Sequence, residues 1–190
     1  MPQNHKKVLR REIRLRIAQM SPESQKGASD CIIDQLVQGP WLSQARIIAL
    51  YASIKDEVQT SALLQELYAR PGLTVLLPRI TGDELKFYRV TDTQSLIPGY
   101  SGILEPDPDK HQFTPLSQAD LILVPGLAFD EHLNRLGKGK GHYDRALGEC
   151  KPATIRVGLF FEAAKLEKVP VEDHDQPLNV VITEKKIYQK

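Results

Sequence analysis

The chain has 190 residues, of which 41% are hydrophobic, enough to bury one sizeable core, and a formal net charge of +1. A near-neutral molecule has no general field for polyanions, so any basic function must be local, and nucleic acid is not an expected partner. Cys31 and Cys150 stand at no metal-ligand or redox-motif spacing and read as reduced core thiols. With no signal-type apolar stretch and no run of membrane-spanning length, the expectation is a cytoplasmic monomer with one domain over residues 1–190.

The first predicted element is a helix over residues 3–19, with Leu9, Ile13, Ile17 and Met20 on one face. Around it Lys6, Lys7, Arg10, Arg11, Arg14 and Arg16 stand against Glu12 alone. Viewed alone it is a solvated or membrane-surface helix, but Lys6 and Arg10 project together and can grip a phosphate. Ser21-Pro22-Glu23 reads as N-cap, helical proline and first-turn acid of a second helix, which ends near Gly39-Pro40. Arg46–Tyr51 is a strand, and Thr60 is placed to cap a helix running to Arg70. Between them lies the Asp56-Glu57 pair. In open α/β sheets ligands collect beyond the carboxyl ends of strands, which makes one of these acids a candidate for bonding a polar heterocycle.

Leu73–Pro78 and Glu84–Val90 read as strands joined through the Gly82-Asp83 turn. Residues 98–115, rich in Pro, Gly and acids, read as a long loop of the lid or binding kind. Leu121–Val124, ended by Pro125-Gly126, is a buried parallel strand, Thr154–Phe160 is another, and residues 169–183 form a polar loop entering a last strand. The predicted class is therefore α/β, a three-layer domain whose mixed, largely parallel sheet is flanked by helices.

The stretch hardest to explain as mere folding is Asn134–Arg145. Gly137, Gly139 and Gly141 remove Cβ atoms at alternate positions, leaving a row of N–H groups that can curl around an anion, with Arg135, Lys138 and Lys140 adding charge. The helix starting at Tyr143 would present its positive end to the same anion. Asp144 beside phosphates is repulsive unless a divalent cation lies between, so the stretch reads as a magnesium-nucleotide site. It matches neither G-x-x-x-x-G-K-[ST] nor G-x-G-x-x-G, and a surface hairpin or a contact for nucleic-acid backbone remains open from these residues alone. No nucleophile elbow and no zinc spacing is present.

Taken together, Val124–Asp130, Asn134–Gly141 and Tyr143-Asp144, with Asp56-Glu57-Val58 and Thr60, Gly102-Ile103 with Glu105-Pro106, and His174-Asp175, resemble the 5-formyltetrahydrofolate cyclo-ligase family over nearly the whole chain. The resemblance implies ATP- and Mg²⁺-dependent conversion of 5-formyltetrahydrofolate to 5,10-methenyltetrahydrofolate with release of ADP and phosphate. By the same resemblance Lys6, Arg10 and the stretch Arg135, Leu136, Gly137, Lys138, Gly139, Lys140, Gly141, His142 and Tyr143 bind ATP, with Arg135 and Lys140 serving catalysis. Glu57 and Tyr143 would hold the folate, and Asp144 with Asn179 the magnesium. Two positions depart from the family pattern: His142 replaces a tyrosine, and Asn179 an aspartate. An amide brings no charge to a metal, so weaker Mg²⁺ binding is expected, and an impaired folate- or nucleotide-binding protein is the alternative reading.

Overall fold

The structure, a computed structural model, describes residues 2–92, 94–99, 102–172 and 174–189. Tyr100 and Ser101 of the long loop and Asp173 of the tail lie outside the described residues. In chain order the elements are α1 (Pro2–Ala18), α2 (Pro22–Gln38), α3 (Pro40–Gln44), β1 (Ile47–Ala49), α4 (Ser61–Tyr68), β2 (Thr74–Thr81), β3 (Glu84–Val90), β4 (Leu96–Pro98), β5 (Leu104–Pro106) and β6 (Gln112–Phe113). There follow β7 (Leu121–Val124), β8 (Ala128–Phe129), β9 (Arg135–Leu136), α5 (His142–Gly148), β10 (Ile155–Leu159), β11 (Val180–Ile182) and β12 (Ile187–Gln189).

Among the described residues one eight-stranded sheet runs β12-β11-β10-β7-β1-β2-β3-β6. Its middle, from β11 to β2, is parallel throughout, while β12, β3 and β6 join antiparallel at the edges. This is the expected α/β class. The reason is legible in β7, where every residue is apolar and every residue is buried, as a strand covered on both faces requires. The β2–β3 hairpin turns at Gly82, whose φ of 61° is a left-handed value that glycine adopts without a Cβ clash.

Helix α1 packs through Ile13 and Ile17, both essentially buried, with Leu9 and Met20 partly buried beside them. Lys6 and Arg10 continue this inward stripe one to two turns toward the N-terminus, which is why a basic pair on this helix faces the protein instead of water. At the start of α2 the Ser24 amide donates to the Ser21 hydroxyl at 3.1 Å, the cap expected from Ser21-Pro22.

Several expectations need correction. Thr60 lies at the N-cap position of α4 but makes no side-chain cap; its buried hydroxyl donates to the Tyr51 carbonyl at 2.8 Å, tying together the ends of the loop after β1. Cys31 is exposed, because it sits one position outside the buried Ile32 and Ile33 of α2. The segment read as a long loop contains short strands β5 and β6, the first paired with β4, which ends where the segment begins, and the second added to the main sheet. A small hairpin, β8–β9, separates β7 from the glycine loop, and a further strand, β12, follows β11.

Candidate functional site

The carboxyl ends of β1, β2 and β7 open onto a cavity of about 820 Å³. Lys6 and Arg10 reach it from α1, Glu57 from the loop after β1, and the whole stretch Arg135–Asp144 from β9 through the first turn of α5. Residues separated by almost the full chain length thus share one volume. The placement follows from parallel-sheet geometry, which gathers the loops after successive strands on one edge.

The glycine loop is shaped by its neighbours as much as by any ligand. Arg10 Nε donates to the Gly137 carbonyl at 2.8 Å, and a Cβ added to Gly139 would come within 3.1 Å of the Arg10 guanidinium carbon. Gly139 and Gly141 also hold φ of 104° and 68°, conformations in which any other residue is strained. Burial, together with the nearby Arg14, lowers the Arg10 pKa from its ordinary value. Leu136, assigned to the nucleotide from sequence, is a buried strand residue opposite Ala128 that reaches only the cavity wall.

Arg135 is buried and makes two contacts through its terminal nitrogens. One terminal nitrogen donates to the Pro125 carbonyl at 3.1 Å, the other to Asp144 Oδ1 at 2.5 Å, and its Nε is buried without a partner among the described residues. Asp144 is therefore a cavity carboxylate with one oxygen committed to a cation. Among the described residues no three His, Cys, Asp or Glu side chains gather to hold a metal. The donor set fits a Mg²⁺ that arrives with phosphate oxygens and takes one carboxylate from the protein, since this ion keeps few protein ligands.

Asn179 is not part of that set. It precedes β11, at the amino-terminal edge of the parallel strands, where its Oδ1 accepts the Arg156 amide at 2.8 Å and its own amide donates to the Arg156 carbonyl at 2.9 Å. The cavity lies at the opposite edge, so the magnesium assignment of Asn179 is withdrawn. His142 does line the cavity, and burial, then Arg145 and Lys140, lower its pKa and favour the neutral ring.

On the facing wall Glu57 is 4% exposed. Its Oε2 accepts the Ile54 amide at 3.1 Å, while Lys138 Nζ approaches Oε1 at 2.5 Å. Burial pushes the Glu57 carboxyl up, against the opposing pull of Lys138. The Tyr143 hydroxyl is buried with no hydrogen-bond partner among the described residues; burial first, then the charge of Glu57, holds the phenol protonated as a donor. A buried unpaired donor is costly, and such a group beside a cavity is most simply satisfied by what enters it.

Sequence reasoning missed Glu172 as a site residue and left the role of His174 and Asp175 open. All three line the cavity, and Lys6 Nζ contacts Asp175 Oδ2 at 2.8 Å and Glu172 Oε1 at 3.3 Å. The His174-Asp175 dipeptide was the available signal. For Glu172 there was none, because its partner Lys6 is reached only through the tertiary fold.

Comparison with known proteins agrees over nearly the whole chain. The profile of the 5-formyltetrahydrofolate cyclo-ligase family matches residues 2–184. The 5-formyltetrahydrofolate cyclo-ligase of Escherichia coli K12 is 32% identical over 181 residues, covering 93% of this chain and 99% of that protein. That of Haemophilus influenzae is 33% identical over 174 residues, covering 90% and 92%. The solved structure of Aquifex aeolicus 5,10-methenyltetrahydrofolate synthetase superposes with a TM-score of 0.87 at 33% identity, covering 97% of this chain and 92% of that one.

Proposed function

Because the chain belongs to the 5-formyltetrahydrofolate cyclo-ligase family, a family of ligases, we propose that it converts 5-formyltetrahydrofolate to 5,10-methenyltetrahydrofolate with ATP and Mg²⁺, releasing ADP and phosphate. The observation that carries this reading is the meeting of Lys6, Arg10 and the 135–144 stretch with buried Glu57 and the unpaired Tyr143 hydroxyl in one cavity. One side is cationic and glycine-lined, suited to phosphates; the other offers a buried acceptor and a donor, suited to a polar heterocycle.

The chemistry requires such a division. The formyl group on N5 is an amide, whose carbon is a weak electrophile and whose oxygen is a poor leaving group. Attack of that oxygen on the γ-phosphorus releases ADP and converts the oxygen into a phosphate ester. N10 then attacks the activated carbon, loses its proton, and phosphate departs with the original formyl oxygen, closing the methenyl bridge. No protein nucleophile enters, so catalysis is positioning plus electrostatic stabilisation. Arg135 and Lys140 would neutralise charge on the transferring phosphoryl group, Lys6 and Arg10 would hold the remaining phosphates, and Glu57 and Tyr143 would orient the folate. Asp144 would hold a Mg²⁺ bound to the phosphates, which supplies further charge neutralisation there.

The test is absorbance of methenyltetrahydrofolate on mixing protein, 5-formyltetrahydrofolate, ATP and Mg²⁺, omitting each in turn. Product that needs all of them supports the reading. Binding of both ligands without product instead favours an impaired binding protein; of the two departures that motivated that alternative, only His142 lies at the cavity.

A further inference from the structure

The Glu57–Lys138 contact joins the two halves of the cavity. Lys138 belongs to the glycine loop assigned to phosphates, yet its ammonium pairs with the carboxylate assigned to the folate. The two partners differ in what separation costs them. The Lys138 side chain is 37% exposed, so water can take up its charge, whereas the Glu57 side chain is 3% exposed and, among the described residues, keeps the Ile54 amide at 3.1 Å. Around it stand the Tyr51 and Tyr143 phenols, the first already donating to the Val58 carbonyl, and the carboxylate of Asp56, which adds repulsion. Among the described residues Lys138 is the cation paired with Glu57, while Arg14 lies nearest Asp56, its Nε 4.0 Å from Oδ2.

Resting on the function proposed above, we propose that Glu57 and Lys138 form an exchange pair that makes binding of nucleotide and folate mutually reinforcing. A nucleotide that draws Lys138 onto its phosphates uncovers a buried carboxylate, and breaking a buried pair by removing one partner is strongly unfavourable. A folate bound first removes that penalty, because its ring amide N–H and exocyclic amine supply the donors that Glu57 would otherwise lose. The net change replaces one ion pair by two ligand contacts. Either ligand alone leaves the exchange half complete, so each raises the affinity of the other by the same factor. The consequence for the enzyme is that ATP is held tightly only when its acceptor is in place.

The exchange makes an unusual prediction for Glu57→Gln. A neutral amide leaves no buried charge to uncover, so a substitution on the folate side should tighten nucleotide binding. The experiment is calorimetric titration of the whole protein with Mg²⁺ and a β,γ-imido ATP analogue, with and without saturating 5-formyltetrahydrofolate. For the wild type the folate is expected to tighten the analogue on the order of ten-fold. Glu57→Gln is expected to bind the analogue alone several-fold more tightly than wild type does. Lys138→Met should abolish the coupling and Lys138→Arg restore it. Wild-type protein that binds both ligands independently, or a Glu57→Gln protein whose affinity for the analogue is unchanged or weaker, overturns the exchange while leaving the proposed reaction standing. Wild-type protein that binds neither ligand overturns both.

Discussion

The two edges of the parallel strands differ in how far their polar side chains are committed to the main chain. At the amino-terminal edge they are spent on the main chain: Asp120 accepts the Arg46 and Ile47 amides at 2.8 and 2.9 Å, Thr154 donates to the Ala119 carbonyl at 2.8 Å, and Asn179 accepts the Arg156 amide. Arg156 Nε has no partner there among the described residues, but a terminal nitrogen of the same guanidinium donates to Gln176 and to the Pro177 carbonyl. At the carboxyl-terminal edge the Tyr143 hydroxyl and Arg135 Nε have no partner among the described residues, and charged groups pair across separate elements as Lys6–Asp175, Lys138–Glu57 and Arg135–Asp144. Main-chain partners cannot be exchanged for a ligand without undoing the fold; side-chain partners can. The first edge therefore reads as stability and the second as a site.

The sharpest test of this division is a substitution at the carboxyl-terminal edge that leaves the fold alone. Lys140→Ala removes an exposed cation from the glycine loop, and loss of one donor to a transferring group typically costs about 10²-fold in turnover. We expect a fall of that order in kcat/KM for ATP, with Tm within about 2 °C of wild type, because surface substitutions stay within about 0.5 kcal/mol. Steady-state kinetics beside a thermal melt reads both; wild-type kinetics would take Lys140 out of the site.

The converse substitution is Asp120→Ala. It leaves the Arg46 and Ile47 amides without their carboxylate at the start of β1, a loss of about 1–2 kcal/mol. Urea unfolding should show this decrease while kcat/KM stays at the wild-type value. An activity loss at full stability would mean that the two edges are not separable in this way.

How far the sequence could anticipate this division depends on the range of the interaction. The apolar runs of β7 and β10, the Ile13–Ile17 stripe and the Ser21 cap are written within a few residues of one another, and the structure has them as read. The same holds for the glycine loop's chemistry, since Gly137, Gly139 and Gly141 sit at alternate positions, although Arg10 filling the space beside Gly139 was not foreseeable from them. Thr60 was misread because the preference of threonine for caps is local, while the Tyr51 carbonyl that takes its hydroxyl is set by how the loop closes. Lys6 and Asp175 are 169 residues apart, and only the sheet's topology brings the tail across α1. Asn179 failed for the related reason that a position matched to a motif carries no information about which edge of a sheet it occupies.

The Lys6–Asp175 pair tests how exchangeable the carboxyl-terminal contacts are. Burial alone would raise the Asp175 carboxyl, but the hydrogen bonds from Lys6 and the Glu172 amide and the charge of Lys6 together hold it below its ordinary value. A depressed carboxylate contributes stability that is present above its unfolded pKa of ~3.9 and lost as pH falls through the folded value. Asp175→Asn should therefore cost about 1 kcal/mol near neutrality, a charged hydrogen bond reduced by solvent screening at this partly exposed site. The difference between the two proteins should shrink once pH drops below ~4. Chemical denaturation of the two proteins across pH reads this difference; one that does not narrow in acid would show that the charge of Asp175 is not what stabilises the tail.

The smallest expected effect is also the one that separates the two edges most cleanly. Asn179→Asp restores the aspartate of the family pattern, and if the residue held magnesium, the added charge should lower the Mg²⁺ concentration needed for half-maximal rate. The structure gives it other work: one side-chain oxygen accepts the Arg156 amide, and an aspartate can accept the same bond. Asn179 is exposed, so the new charge is solvated there, and stability should change by no more than about 0.5 kcal/mol. The Mg²⁺ dependence of methenyltetrahydrofolate formation should match that of the wild type, whereas Asp144→Asn, in the cavity, should raise the Mg²⁺ requirement. A shift with Asn179→Asp and none with Asp144→Asn would reverse the assignment of the two edges, because a ligand charge acts on the metal only where the phosphates are.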